Sequence, residues 1–549
     1  MKKLLLPVAL AFATVAALAP VAQAQTVCPA EPTPISVPTT ISTNTTWTRN
    51  NVYLLTDRTY VTAGATLTIE AGTIIKGTGL GTLVIEQGAR LVADGTPTQP
   101  IVFTSNQPAN SRNTGDWGGI VLLGRAPINQ PGTPVIEGIP GRTFGGTNAA
   151  DDSGILRYVR IEYCGIAITP NNEINGLTMG GVGSGTIIDY VQVYACGDDS
   201  FEWFGGTVNA KHLISIGAVD DDFDTDFGYT GKVQYALAVR NPNVDDQSGS
   251  TAFESDNDAG GSSLVPITAP VFSNVTALLQ NVPATTRFTR AMHLRRNTNI
   301  SIFNSVVTGW PQGLTLDGPG AQTNATNGTL VLKNNVMAGI ANPYTQQSGG
   351  TYNVQGFWEA AANNNQTLAT AAALGLNADN YNTTNANGTA NGTPDYTLPA
   401  ASVLRTGAAY TDAKLADSFF DKTGTFRGAF GTTNWAAGWT NFNPQITCYN
   451  RPGTTLATKS ASDQVQQLTV SPNPTAGEAL LNFTLQRGGT ASVRVLDVTG
   501  RTVATVLTNG KLAAGTQQLA LPATLKAGVY MAQVTTSETS QSVRFVVTK

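Results

Sequence analysis

The sequence has little charge and little histidine. Only 12% of its 549 residues are charged and two are histidine, whereas about a quarter of an ordinary soluble domain is charged. This composition excludes a coiled coil or a charge-rich helical bundle. The 32 Lys and Arg residues are outnumbered by 36 Asp and Glu residues, and no basic stripe is present that could neutralise phosphates. We therefore expect no nucleic-acid partner.

Long apolar runs are missing outside the N-terminus. Residues 1–24 have the pattern of a secretory signal peptide: Lys2 and Lys3, an apolar core from Leu4 to Leu18, and the cleavage sequence Ala22-Gln23-Ala24. No later stretch reaches the roughly 20 apolar residues that a spanning helix needs. We therefore expect an exported mature chain that lacks a transmembrane segment.

Short strands ended by turn residues fill the region that follows. Residues 69–73 align with residues 85–89, and residues 158–165 align with residues 190–197. Such inexact repeats predict an all-β fold, with a right-handed parallel β-helix passenger over residues 25–445. A sandwich array or a propeller is the rival interpretation, but neither places a turn residue after nearly every short strand.

Cysteine is scarce, with four residues in the chain. In an exported protein these are expected to pair, and three connectivities are possible. Cys164 and Cys196 hold the same place in two aligned repeats, so neighbouring coils would hold their Cα atoms about 4.8 Å apart, within disulfide range. We therefore predict a Cys164–Cys196 bond. A Cys28–Cys448 bond would tie the passenger's ends together, although a long solenoid could hold them too far apart.

The sequence changes character from about residue 357, which we interpret as a capping region. Residues 366–374 are rich in Ala and Leu and could form a short helix, and residues 380–393 are expected to be a loop. The aromatic residues between 426 and 442 are expected to cover the open end of the solenoid rather than to bind sugar. Residues 446–466 are interpreted as a linker.

The C-terminal stretch, residues 467–549, alternates apolar and polar residues in about seven short runs, the pattern of a small β-sandwich. This stretch contains Pro472, Asn473 and Pro474, then Gly500 and Arg501, and finally Gly528 and Tyr530. With these motifs it resembles the C-terminal sorting domain of the Bacteroidota type IX secretion system. This resemblance implies the type IX machinery as a partner, and a secreted or outer-membrane surface-attached protein that travels through the periplasm, often linked to surface lipopolysaccharide. A plain binding sandwich is the alternative.

Residues 115–124, 201–208 and 220–228 resemble a family of exported Bacteroidota proteins with a pectin-lyase-like fold. The resemblance extends over roughly residues 50–445 and is specific to the family. It implies the β-helix fold and brings no catalytic residues, since a fold does not by itself supply a function.

Acidic residues crowd into a few neighbouring coils of the passenger, which carries a formal net charge of −10 while the tail carries +4. Crowded carboxylates repel one another unless they are solvated or metal-bound, and hard oxygen ligands suit Ca²⁺. Asp222, Asp224 and Asp226 alternate, so we expect them on one strand face. A solvated acidic surface is the alternative. The predicted metal ligands are Asp198, Asp199, Asp220, Asp221, Asp222, Asp224 and Asp226, followed along the chain by Asp245, Asp246, Asp256 and Asp258.

Three classes of function remain open. The preferred one is a surface protein that binds glycans adhesively, with Glu202, Trp203 and Arg295 as predicted ligand-binding residues beside a possible Ca²⁺ site. The second is a Ca²⁺-dependent polysaccharide lyase or glycoside hydrolase, in which Ca²⁺ would acidify a uronate proton and an Arg would remove it. Arg is a poor base, however, and no pectate-lyase signature occurs. The third is a structural surface-layer component.

Overall fold

The computed structural model describes residues 28–169, 172–280, 282–283, 286–346, 350–381, 383, 394–450, 465–485, 488–497, 501–536 and 540–548. The predicted signal peptide, residues 451–464 of the predicted linker and Gly500 of the sorting motif lie outside these ranges.

The passenger consists of short strands, numbered here in chain order. The first fifteen are β1 Ile35–Ser36, β2 Thr40–Ile41, β3 Thr45–Trp47, β4 Val52–Leu55, β5 Arg58–Val61, β6 Thr66–Ile69, β7 Ile74–Gly77, β8 Thr82–Ile85, β9 Arg90–Asp94, β10 Ile101–Ser105, β11 Ile120–Leu123, β12 Gly154–Glu162, β13 Ala167–Thr169, β14 Asn172–Glu173 and β15 Leu177–Gly180. The next fifteen are β16 Ile187–Tyr194, β17 Phe201–Phe204, β18 Asn209–Ile216, β19 Phe223–Asp226, β20 Lys232–Val239, β21 Phe253–Ser255, β22 Val271–Leu278, β23 Arg290–Arg295, β24 Ser301–Phe303, β25 Val306–Thr308, β26 Gln312–Asp317, β27 Val331–Lys333, β28 Val336–Ala338, β29 Asn342–Gln346 and β30 Gln366–Leu368.

Helical elements are few and short. The α-helices are α1 Pro319–Asn327 and α2 Val354–Trp358, and 3-10 turns lie at Ala361–Asn363, Ala371–Leu374, Ala378–Tyr381, Val403–Arg405, Ala413–Leu415 and Pro444–Ile446. Among the described residues, no helix has the length and apolar character that crossing a bilayer would require.

The passenger is a right-handed parallel β-helix with three faces, as the repeats predicted. Eleven strands form the front face: β2, β5, β8, β11, β15, β17, β19, β21, β23, β26 and β29. The side face holds β3, β6, β9, β24, β27 and the first halves of β12, β16, β18, β20 and β22. The back face holds β1, β4, β7, β10, β25, β28, β30 and the second halves of the same five strands.

A ladder of left-handed residues marks the corner between the side and back faces. Asn and His tolerate this backbone region comparatively well, whereas Tyr rarely adopts it. Here the rings compensate by stacking, with centroid distances of 4.4 Å for Tyr158–Tyr190 and 4.1 Å for Tyr190–His212. The ladder residues, all with φ between 50° and 62°, are Tyr158, Tyr190, His212, Tyr235, Asn274, Asn304, Asn334 and Asn364.

The lumen of the β-helix is filled by inward-facing apolar side chains. Phe201, Phe223 and Phe253 stack on successive coils, with centroids 5.9 and 5.8 Å apart. Trp203 lies in the same interior, fully buried and stacked on Tyr229 at 5.3 Å. The prediction that Trp203 contacts a ligand is therefore wrong, because alternate residues of β17 point inward.

Asp222 also belongs to the interior. It is 0% exposed, accepts a hydrogen bond from Ser215 Oγ at 2.5 Å and lies 3.3 Å from Nη1 of the equally buried Arg240. The prediction that Asp222 shares a face with Asp224 and Asp226 is wrong. Asp222 precedes β19, and the chain bends there, so the strand alternation does not yet apply.

The capping region differs in part from its prediction. Helix α2 closes the last coil, with Trp358 buried in the lumen core. Residues 366–374 form β30 and a 3-10 turn rather than an α-helix. Residues 426–442, however, do not cover an open end: they pack along the outside of the back face. We call residues 395–450 the strap, because this segment runs back from the last coils to the first.

The strap decides the cysteine pairing. It brings Cys448 to Cys28, and these residues form a disulfide across 420 residues of sequence. Cys448, Tyr449 and Asn450 therefore belong to the packed passenger rather than to a linker. Cys164 and Cys196 are buried free thiols, so the predicted bond between them is absent. Equivalent side chains on parallel neighbouring coils keep their Cβ atoms near 4.8 Å apart, whereas a disulfide needs about 3.5–4.5 Å.

The tail is a small antiparallel sandwich, as predicted. Asn473 connects the start of the tail to its last strand. Its side-chain Nδ2 donates to the backbone oxygen of Arg544 at 3.1 Å, and its Oδ1 accepts from the backbone N–H of Val546 at 3.0 Å. Arg501 pairs with Asp497 at 3.0 Å, and Tyr530 packs on Phe545. The strands are β31 Val465–Ser471, β32 Ala479–Leu485, β33 Gly489–Asp497, β34 Thr502–Leu512, β35 Gly515–Leu521, β36 Gly528–Thr536 and β37 Ser540–Val547, in sheets of order β31-β32-β35 and β34-β33-β36-β37.

We predict that Asp222→Ala destabilises the passenger by about 3–5 kcal/mol, because it leaves Arg240 buried without its counter-charge. Asp57→Ala is the control: it removes a carboxylate from an exposed position outside the lumen and should cost less than about 1 kcal/mol. Urea denaturation of both variants measures the difference. Equal losses of stability would contradict the interior role of Asp222.

Candidate functional site

The front face carries a column of outward-facing carboxylates. Glu202, Asp224 and Glu254 are register partners on β17, β19 and β21, and His293 continues the column on β23. Parallel coils hold such partners about 4.8 Å apart along the axis. Residues that are 22 or more positions apart in sequence therefore form one continuous acidic surface.

A second acidic ladder lies in the turns that lead into the front face. Asp199 Oδ1 accepts the backbone N–H of Asp221 at 2.7 Å, and Asp221 Oδ1 accepts the N–H of Thr251 at 2.5 Å. Each carboxylate thus satisfies a backbone donor of the next coil. Asp198 and Asp220 flank this ladder and are partly exposed.

Three groups of carboxylates are close enough to share a cation. Within each group, one oxygen from every member lies within 4.8 Å of the others. Asp199 belongs to the first and second groups and Asp224 to the second and third, so the groups overlap along the helix axis. The groups are Asp198–Asp199–Asp220, Asp199–Glu202–Asp224 and Asp221–Asp224–Glu254.

Five of the seven predicted metal ligands therefore converge, joined by Glu202, which the sequence assigned to ligand binding, and by Glu254. Asp222 is excluded by its burial in the lumen. Asp226 lies at the end of β19, outside the three groups, and accepts the backbone N–H of Phe227 at 2.6 Å.

Ionisation of the carboxylates on this surface is unfavourable. Burial, followed by repulsion from neighbouring carboxylates, raises the pKa of Asp199, Glu202 and Asp224 well above the ordinary range. The same causes raise the pKa of Asp220 to about 7 and that of Asp226 to about 8. One oxygen of Asp224 is inaccessible and has no hydrogen-bond partner among the described residues.

The acidic column is neutralised at one end only. Arg295 pairs with Glu254, and its Nε lies 2.9 Å from Asp256 Oδ2. His293 lies 3.3 Å from Glu254 and 3.1 Å from Asp317. Burial acts to raise the pKa of Glu254, but the bonds from His293 and Arg295 outweigh it and lower that pKa.

No comparable neutralisation reaches the other end. Among the described residues, no Lys, Arg or His forms an ion pair with the remaining members of the three groups. These members are Asp198, Asp199, Glu202, Asp220, Asp221 and Asp224.

A cavity of about 870 Å³ opens beside the first carboxylate group, and we call it the front cavity. The hairpin β13–β14 forms one wall with Ala167, Ile168, Thr169 and Glu173. The other lining residues are Gly197, Asp198, Asp220, Asp246, Gln247 and Ser248. Ser248 Oγ lies 2.7 Å from Asp246 Oδ2 and 3.1 Å from Asp220 Oδ2, within hydrogen-bond distance of both carboxylates.

Sequence reasoning missed three carboxylates of this region: Glu137, Glu173 and Glu254. Glu137 and Glu173 lie on the long excursion after β11, where Glu173 N donates to Glu137 Oε1 at 3.1 Å. Burial and the nearby Glu173 raise the pKa of Glu137 to about 7. No sequence signal shows that this excursion folds back over the front face. Glu254 stands alone in sequence and joins the site only through coil register.

We predict that the chelator-treated protein loses stability as pH rises from about 4 to about 8. The folded pKa values of Asp220 and Asp226 lie above the ordinary 3.8, so the folded state binds more protons than the unfolded state in this window. Each unit of displacement corresponds to about 1.4 kcal/mol. Urea unfolding at pH 5 and pH 8 tests this, and Asp226→Asn should reduce the slope. Equal or greater stability at pH 8 would contradict it.

Comparison with known proteins agrees with this architecture. A family model described as a pectate-lyase like β-helix domain matches residues 39–395, and one described as a secretion system C-terminal sorting domain matches residues 469–548. No curated protein matches the chain. The tail implies handling by type IX secretion, so the protein is exported through the periplasm and is secreted or displayed at the cell surface. Since the first match covers more than half of the chain, the protein belongs to the pectate-lyase-like β-helix family.

Proposed function

We propose that this exported protein binds Ca²⁺ on its front face and uses the bound ion to hold a glycan. The observation that carries the proposal is the set of three overlapping carboxylate groups, six of whose members form no ion pair with Lys, Arg or His among the described residues. A divalent cation removes the repulsion between these groups, and its binding energy offsets the cost of ionising them.

The donor set favours Ca²⁺ over other ions. All of the candidate ligands are carboxylate oxygens, the hard donors that Ca²⁺ prefers, and no Cys or His belongs to the three groups. Ca²⁺ binds oxygens at about 2.3–2.6 Å, so two oxygens on one ion lie at most about 5 Å apart. The spacing within 4.8 Å in each group meets this limit. Mg²⁺ demands a tighter octahedron and suits this irregular set less well.

The first group, Asp198–Asp199–Asp220, is the one that a ligand can reach. Two of its members, Asp198 and Asp220, line the front cavity. Ca²⁺ takes six to eight oxygens, more than three carboxylates supply in monodentate form. Hydroxyl oxygens of a sugar in the cavity would complete the coordination.

The charge of the front cavity favours a neutral glycan. The described residues of its lining include the four acidic residues Glu173, Asp198, Asp220 and Asp246, and no Lys, Arg or His. One Ca²⁺ neutralises two of these charges, and the remaining carboxylates repel a uronate polymer. The apolar side chains of Ala167 and Ile168 offer a surface for the C–H face of a sugar ring. The volume of about 870 Å³ lies in the range of ordinary ligand sites.

The lyase alternative is less well supported. It requires a free Arg to remove a proton, but Arg295 is held by Glu254 and Asp256. Burial acts to lower the pKa of Arg295, but these two charges outweigh it and raise that pKa above its ordinary value. Arg295 is thus a structural cation here, and its predicted role in ligand binding is not part of the proposal.

We predict that Ca²⁺ raises the melting temperature of the protein and that a chelator reverses this shift. Asp220→Asn with Asp224→Asn should abolish the shift, because it removes a ligand from every carboxylate group. Asp57→Asn, at an exposed acidic residue far from the groups, should leave it intact. Differential scanning calorimetry measures all three. An unchanged melting temperature with Ca²⁺ would end the metal proposal.

We predict that neutral oligosaccharides bind only in the presence of Ca²⁺ and that uronate oligosaccharides bind more weakly. Isothermal titration calorimetry with a panel of both classes measures this preference. Asp198→Asn should weaken sugar binding about tenfold or more, since it removes an ion ligand that also faces the cavity. Tighter uronate binding, or a new ultraviolet absorbance from an unsaturated product, would instead support the lyase.

A further inference from the structure

The outward side chains of the back face are apolar. Ile214, Ile216, Leu237, Val239 and Leu278 point away from the lumen, yet none is more than 1% exposed. The strap covers them with Tyr396, Phe430, Trp439 and Phe442. An exported protein that lost this cover would present a large apolar sheet face to water.

The strap is not attached to the β-helix by strand pairing, which is how the coils are attached to one another. Its described part contributes no strand to either passenger sheet. Instead, three amide side chains of the β-helix each bond both the N–H and the C=O of one strap residue. Asn304 holds Ala409 in this way at 3.0 and 3.2 Å, Gln234 holds Asp421 at 2.7 and 2.8 Å, and Gln192 holds Asn441 at 2.8 and 2.9 Å.

The coils are complete without the strap. The back-face halves of β16, β18 and β20 each pair with a strand on both sides. The lumen core is also separate from the aromatic core beneath the strap. Removing the strap would therefore break no inter-coil ladder. Such a segment can open locally at a lower free energy than global unfolding.

The disulfide that ends the strap is accessible. Cys28 and Cys448 are both partly exposed. Cys28 lines a cavity of about 280 Å³ together with Glu31, Lys76 and Arg112. Glu31 pairs with Lys76 at 2.5 Å, so the cation left for the thiols is Arg112, which forms no ion pair among the described residues. Nearby cations favour a thiolate and thus thiol–disulfide exchange. The buried Cys164 and Cys196 have no such access.

We propose that the Cys28–Cys448 disulfide latches the strap over the back face, so that reduction releases the strap as a unit while the coils stay stacked. In the reduction, a dithiol transfers two electrons and two protons to the Cys28–Cys448 bond. It becomes a cyclic disulfide itself and leaves two protein thiols. The latch closes only when all coils under the strap are in place, because the strap must cross them to bring Cys448 to Cys28.

Limited proteolysis of the full chain, with and without dithiothreitol, tests the latch. We expect cleavage between residues 395 and 447 to become about 30-fold faster or more after reduction, as when a disulfide's contribution to stability is lost. The fluorescence of Trp435 and Trp439 should shift to that of exposed indole. The far-ultraviolet circular dichroism of the coils should persist. A strap that stays protected after reduction would overturn the proposal, and so would coils that unfold together with it.

The double variant Cys28→Ser with Cys448→Ser separates the latch from other effects of the reductant. It should show the fast cleavage without dithiothreitol and no further change with it. If the double variant fails to fold while the reduced wild type keeps its coils, the bond is needed for folding rather than as a latch, and the proposal fails. Gln192→Leu, which removes one amide clamp, should accelerate cleavage further in the reduced protein only.

Discussion

Parallel register between coils is the constraint on which the rest of this structure depends. It places each residue about 4.8 Å from its equivalent on the next coil, so like residues meet like residues along the whole helix. Aromatic rings gain from this arrangement, as the Phe201–Phe223–Phe253 stack shows. Thiols are not joined by it, because Cys164 and Cys196 lie side by side without forming a disulfide. Carboxylates are penalised, since Glu202, Asp224 and Glu254 repel one another.

The two ends of the front face differ in how this repulsion between carboxylates is offset. At the C-terminal end, Arg295 neutralises Glu254, which His293 also contacts, and Asp256 pairs with Arg295. Towards the N-terminal end, no cationic side chain among the described residues plays that part, and the excursion after β11 adds Glu137 and Glu173 nearby. A stability argument alone does not account for acids gathered from both the coils and the excursion. The cation-dependent binding surface that we propose accounts for them.

The back face carries apolar rather than charged side chains on its outside, and a β-helix coil by itself buries only its inward side chains. Apolar residues such as Ile214 and Leu237 point outward there and need a separate cover. The strap supplies this cover and is held by amide clamps and one disulfide rather than by strand pairing. The strap contacts the last coils through Leu404 and the first coils through Tyr449, which explains how Cys448 reaches Cys28.

The sequence by itself determined the β-helix, the sandwich tail and the region where acids concentrate, because short repeats and strand alternation are local patterns. The alignment of Tyr158 with Tyr190 also predicted that these two residues lie on neighbouring coils. Only the tertiary structure decided that Asp222 and Trp203 point inward, that Glu137 and Glu254 join the acidic surface, and that Cys28 pairs with Cys448. These outcomes depend on where turns bend and where long excursions return, and such contacts between distant segments leave no trace in local spacing.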